Sequence, residues 1–187
     1  MNNFSEKIYF IALLPPADFQ AEVTTIKEYF AAQYNSSHAL KSPPHITLQA
    51  PFKWDEGRLP ELAQVLAEFA PGYPPVPIIL SGFGAFPPRV IYINPLKTPE
   101  LMAVQADLTA RLQSNLGIVD EKDSGRPFSP HMTVAFKDLS KSAFKTAWPE
   151  FKQRPLFFQF DATNLTLLVH EGGRWQVKSE FPFVPSP

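Results

Sequence analysis

The sequence Pro-His-x-Thr occurs twice, at Pro44-His45-Ile46-Thr47 and at Pro130-His131-Met132-Thr133, once in each half of the chain. In an extended strand, side chains two positions apart share a face, so each motif presents an imidazole and a hydroxyl together. An imidazole gives or takes a proton near neutral pH, and a threonine hydroxyl binds an anionic oxygen. Two such pairs in one site supply an acid, a base and an anion clamp. That inventory suits phosphoryl transfer without a metal.

With nine threonines in 187 residues, composition alone puts a threonine two places after a given histidine about one time in twenty. A single copy would carry little weight. Here two of the four histidines meet the pattern, both after proline and at corresponding places. A plain reading, half-buried strand histidines beside threonines that favour strands, does not account for that repetition. His38, in a serine-rich loop, and His170, before a turn, lack the motif and read as structural or solvated. A zinc site would need at least three protein ligands. No carboxylate or histidine accompanies both motifs at ligand spacing, although Asp55, Glu56 and Asp138 lie downstream, so neither metal nor cofactor is expected. Gly82-Phe83-Gly84 lacks the further glycine and helix of a dinucleotide fingerprint.

Lys53, Arg89, Arg126 and Lys137 lie near the motifs and could attract phosphate, with Arg89 and Arg126 preferred as substrate-binding residues. Phe52, Phe86, Tyr92 and Phe128 could stack a base, because an aromatic face accepts any base.

The elements that position the motifs follow one plan twice. Lys7 to Leu14 reads as a strand, and Phe19, Val23, Ile26, Phe30 and Tyr34 then recur at helical spacing. A motif strand from Pro44 to Ala50 follows, then a helix with Leu59, Leu62, Leu66 and Phe69 on its apolar face, then a strand from Val76 to Phe83. The order repeats with a strand over Arg89 to Asn94 and a helix opened by Thr98-Pro99 and stopped by Gly117. Next come a motif strand from His131 to Phe136, a helix capped by Ser140, and a strand from Leu156 to Phe160. Approximate repeats over 1–88 and 89–187 within one bilobal domain, 1–187, are the economical reading. Two further strands, Asn164 to His170 and Trp175 to Phe181, are joined by Glu171-Gly172-Gly173-Arg174 as a hairpin that extends a sheet. Two such lobes face to face would set the histidines across a cleft.

Composition bounds the rest. An apolar content of 44% can fill a core. The absence of cysteine excludes disulfides and thiolate zinc sites. A net charge of -1 argues against wrapping a long nucleic acid, and leaves a small ligand or a single RNA end compatible. The apolar run Ile8 to Leu14 is too short to span a bilayer and lacks a basic leader. The expectation is a soluble, cytoplasmic protein with no membrane association and no obligate protein partner.

The paired motifs in a duplicated chain of this size resemble the 2H phosphoesterase superfamily, in particular bacterial RNA 2′,3′-cyclic phosphodiesterases of the 2′-5′ RNA ligase type. Tyr9-Phe10-Ile11-Ala12-Leu13 resembles that family's opening strand, Gly84-Ala85-Phe86-Pro87-Pro88-Arg89-Val90-Ile91-Tyr92 its central hairpin, and Arg126-Pro127-Phe128-Ser129-Pro130-His131-Met132-Thr133 its second motif block. The chain departs from the family after the second motif, where many relatives place alanine and then arginine, and Val134-Ala135 is followed here by Phe136-Lys137. The resemblance implies an α+β fold of two mainly antiparallel sheets flanking a central cleft with helices outside. It implies catalytic His45 and His131, phosphate-binding Thr47 and Thr133, and no metal requirement. The implied reaction is hydrolysis of a 2′,3′-cyclic phosphate on an RNA end or a nucleotide, as in RNA processing. Joining or cleaving a 2′-5′ linkage, opening a cyclic phosphate of ADP-ribose, and a non-catalytic RNA-end binding module are the alternatives. The symmetric motifs do not fix the acid and the base; the working assignment is His45 as acid and His131 as base.

Overall fold

The computed structural model describes residues 5–120 and 125–184. The described elements run β1 (Glu6–Leu13), α1 (Ala17–Tyr34), β2 (Ile46–Asp55), α2 (Leu59–Phe69), β3 (Val76–Phe86), β4 (Val90–Pro95), α3 (Pro99–Leu116), β5 (Met132–Ala135), α4 (Lys141–Gln153), β6 (Phe157–Ala162), β7 (Asn164–Glu171) and β8 (Arg174–Pro182). A 3-10 turn, His38–Lys41, leads from α1 towards β2. Element ends follow local chemistry. The Thr98 hydroxyl accepts from the Leu101 N–H with Pro99 opening α3, and Ser140 accepts from the Ala143 N–H at the start of α4. Gly117 closes α3 at φ 69°, in the left-handed region that costs glycine nothing.

The strands form two antiparallel sheets, ordered β2-β1-β7-β8 and β5-β4-β3-β6. This is the α+β architecture with two antiparallel sheets expected from the resemblance. The sheets cross the sequence boundary between 88 and 89. β3 pairs with β4 through the turn at 87–89, and β7 fills the corresponding place beside β1. A short hairpin closes at less entropic cost than a return to β1. The motif strands β2 and β5 therefore hold equivalent positions, each at a sheet edge, with β2 next to β1 and β5 next to β4.

The helices cross over as well: α1 from the first half packs against β5, and α3 from the second packs against β2. Tyr9, Ile11 and Leu13 of β1 join a core that includes Phe30, Ile46, Ile91, Leu108, Met132 and Phe151. Phe10 and Ala12 point the other way, into a smaller cluster with Leu168 and Trp175. Both faces of β1 are covered, which is why its sequence is a continuous apolar run. Among the described residues no helix is long and apolar enough to cross a membrane.

Candidate active site

His45 and His131 each stand one residue ahead of their strand, which begins at Ile46 or Met132. Strand alternation alone therefore does not orient them; a hydrogen bond does. His45 Nδ1 lies 2.7 Å from the Pro43 carbonyl oxygen and His131 Nδ1 lies 2.8 Å from that of Ser129. A carbonyl only accepts, so each Nδ1 carries the proton and each Nε2 is left for chemistry. The proline between acceptor and histidine has a fixed φ and holds the preceding residue extended, which presets this geometry. Both prolines, Pro44 and Pro130, are buried.

Immediately beyond each motif threonine the strand bulges. Ala12 opposes Thr47 while Ile11 opposes Gln49, which leaves Leu48 extra, and Tyr92 opposes Thr133 while Ile91 opposes Ala135, which leaves Val134 extra. A bulge bends its strand and re-aims the neighbouring side chains. Two consecutive buried residues follow each threonine, Leu48-Gln49 and Val134-Ala135, in place of alternation.

His45, Thr47, His131 and Thr133 all line one cavity of about 550 Å³, within the roughly 300–1,000 Å³ typical of small-ligand clefts. Phe10, Phe86, Phe136 and Trp175 supply apolar wall, and His38, Lys41 and Lys137 a polar side. The His45 ring lies 4.7 Å from the Phe10 ring, and His131 meets Phe86 edge-on at 5.2 Å with Tyr92 at 5.7 Å. Enclosure disfavours the imidazolium at both sites. Desolvation pushes His45 down to about 4, opposed by the bond to Pro43 and assisted by the positive charges of Lys27 and His131. His131 is also lowered by desolvation, against its bond to Ser129.

The remaining substrate-binding expectations fall elsewhere. Arg89 is exposed in the turn at 87–89, between the lining residues Phe86 and Val90, and is not itself on the cavity wall. Arg126 is exposed and also off the wall, and Phe128 is half-buried against the main core. Phe52 and Lys53 line a separate depression with Trp54 and Ile118. In the opposite direction, His38, expected to be structural or solvated, lines the cavity with its ring edge-on to Phe136 at 5.0 Å. Nothing local in the sequence marks it, because what tethers it is distant: Asp138, 100 residues away, accepts its backbone N–H. Among the described residues no three His, Asp or Glu side chains converge as a metal site.

Comparison with known proteins agrees with this architecture. The chain is 30% identical over 179 residues to a Geobacillus kaustophilus (strain HTA426) protein designated "Putative phosphoesterase GK0864", covering 92% of this chain and 94% of that one. A protein of Geobacillus thermodenitrificans (strain NG80-2) with the designation "Putative phosphoesterase" is 31% identical over the same shares. Among solved structures, TT0787 of Thermus thermophilus superposes with a TM-score of 0.70 at 19% identity, over 96% of this chain and all 100% of that one. E. coli LigT complexed with 3′-AMP superposes with a TM-score of 0.66 at 19% identity, over 96% and 99%. These two likenesses establish the fold. The sequence model of the 2′-5′ RNA ligase superfamily matches residues 15–174, a span that contains both motif strands and both histidines, and the chain belongs to that superfamily of 2H phosphoesterases.

Proposed function

We propose that the protein is a metal-independent phosphodiesterase that hydrolyses a 2′,3′-cyclic phosphate on an RNA end or nucleotide. The observation that carries this reading is the matched pair of imidazoles in one cavity, each with Nδ1–H committed to a backbone carbonyl and each accompanied by a threonine. Water attacks phosphorus in line, one Nε2 takes its proton, and the other Nε2–H gives a proton to the ribose oxygen as the cyclic P–O bond breaks. The hydroxyls of Thr47 and Thr133 donate to the nonbridging oxygens, where negative charge gathers. Exchange with solvent then resets the two histidines.

Desolvation lowers His45 to about 4, a larger displacement than that of His131. His45 therefore stays neutral where His131 more readily takes a proton. We assign His45 as base and His131 as acid, the reverse of the working assignment made from the sequence. An anionic phosphate raises both values, and the more basic member gains the proton first.

The test is turnover of 2′,3′-cyclic nucleotides and of short RNAs with a cyclic-phosphate end, in EDTA, by wild type, His45→Ala and His131→Ala. Wild type should hydrolyse them, and each variant should lose about 10²–10⁴-fold in rate while remaining folded. Turnover that needs added metal, or that survives both substitutions, overturns the mechanism. Wild-type activity restricted to joining or cleaving 2′-5′ linkages would replace the substrate while keeping the acid–base pair. Binding of RNA ends with no turnover would leave a non-catalytic module.

A further inference from the structure

One side of the cavity is basic and takes no part in the chemistry above. The 3-10 turn contributes His38 and Lys41, and the exit from β5 contributes Lys137. Among the described residues neither lysine is ion-paired. Asp138, next in sequence to Lys137, is committed elsewhere: Oδ1 accepts from Ser36 Oγ at 2.8 Å, and Oδ2 accepts from the backbone N–H groups of Ser37 and His38, each at 2.9 Å. Two cations thus face the cavity with no carboxylate ion-paired to either of them among the described residues.

Lys137 has a φ of 63°, in the left-handed region that disfavours residues other than glycine. The Asp138 N–H donates to the Phe136 carbonyl at 2.7 Å and closes a three-residue γ-turn around Lys137. Such strain persists only where the surroundings over-determine it. Here the bonds that Asp138 accepts from Ser36, Ser37 and His38 hold it in place. The same 3-10 turn is held from behind by Lys27 of α1, whose Nζ donates to the carbonyls of Ala39 at 3.0 Å and Ser42 at 2.9 Å. Both segments that bring cations to the cavity are therefore fixed to each other and to the scaffold of the histidines. The charges lie near one another: Lys137 and Lys41 add to desolvation in lowering the pKa of His38, and the Asp138 carboxylate opposes them.

We propose that His38, Lys41 and Lys137 form a second anion subsite that takes a phosphate other than the one that reacts. Resting on the cyclic-phosphodiesterase reading, this makes the preferred substrate an RNA end, whose terminal nucleotide carries a 5′-phosphodiester as well as the terminal cyclic phosphate. A free cyclic mononucleotide has no group for this side of the cavity. Lysine suits the task as a compact point charge with three donors and no fixed orientation. The low-dielectric walls from Phe10, Phe86 and Trp175 strengthen its field inside the cavity.

The test is calorimetric binding of adenosine 3′-phosphate and adenosine 3′,5′-bisphosphate to the full chain and to Lys41→Gln/Lys137→Gln. Wild type should bind the bisphosphate about tenfold or more tightly than the monophosphate, and this ratio should shrink with added salt. In the double variant it should fall towards one. Lys41 and Lys137 are both exposed, so the fold should survive. Lys41→Gln alone, which leaves the strained turn untouched, should lose part of the ratio and serves if the double variant does not fold. A wild-type ratio near one, or an unchanged ratio in the variants, overturns the proposal. Because no turnover is measured, a chain inert on every cyclic phosphate would remove the proposed reaction while the binding ratio still judges the subsite.

Discussion

The two motif histidines share a preceding proline, a threonine two places on and a tautomer, yet their surroundings separate them. Both start from an ordinary value of 6.5 and both fall, His45 to about 4. A base must be neutral and an acid protonated, so kcat/KM should follow a bell displaced to the acid side. Its lower limb should lie near 4 and its upper limb below 6.5, as apparent values of the coupled pair in the free protein. A plateau extending through neutral pH in kcat/KM would contradict these assignments. Stability carries the same signature. Between pH 4 and 6.5 the unfolded chain binds a proton at His45 that the folded chain refuses, so the stability present above 6.5 is lost as the pH falls, by about 1.4 kcal/mol per pKa unit. Denaturant titrations should show a shallower loss over that interval in His45→Gln; an unchanged slope would mean His45 is not held neutral by the fold. At this scale the sequence discloses the four motif residues through their repetition, and the cavity collects all four. Arg89, Arg126 and Phe128 are near the motifs in sequence, which says nothing of side-chain direction, and they lie off the cavity wall.

Helix starts and stops are local chemistry, so Thr98, Gly117 and Ser140 are legible as caps in the sequence alone. The bulges at Leu48 and Val134 are not, because an extra residue is defined only against the partner strand. The periodic face of α1 likewise conceals Lys27, which is buried with its ammonium on two carbonyls at the 3-10 turn. Desolvation lowers Lys27 to about 8 from an ordinary 10.5. Over that interval the unfolded chain holds the extra proton, so this residue makes stability rise with pH. Lys27→Met should cost about 1–3 kcal/mol at neutral pH by leaving those carbonyls unpaired. It should also remove the rise between pH 8 and 10.5, read from chemical denaturation across that range. A second element-level device lies in the β3–β4 hairpin, where Gly84 opposes Tyr92 and a Cβ would overlap the Tyr92 ring. Tyr92 in turn packs against His131. Gly84→Ala should therefore displace the ring and lower kcat more than it raises KM, whereas Gly72→Ala, at a site with open space around it, should do neither.

Across the whole molecule the order of elements runs twice through the sequence, but such a repeat does not dictate separable halves. β3 leaves the strands of its own repeat to pair with β4, β7 returns to pair with β1, and α1 and α3 each brace the motif strand of the other half. Sequence periodicity registers which faces are apolar; it does not register which neighbour covers them, so this exchange is hidden from it. Its consequence is mechanical. An edge strand that bears a motif threonine and follows directly on its motif histidine is held by a helix from the other half, and displacement of either half disturbs the cavity that both line. Buried residues from both halves form one continuous core, so neither half retains its apolar partners alone. Unfolding should then be a single cooperative transition, with far-UV and near-UV circular dichroism coinciding along a denaturant curve. A fragment of residues 1–88 should fail to fold, because β3 would lose β4 and β6, and α1 would lose β5. Two resolved transitions, or a fragment with native-like near-UV signal, would show that the repeats are independent and that the site between them is assembled by docking.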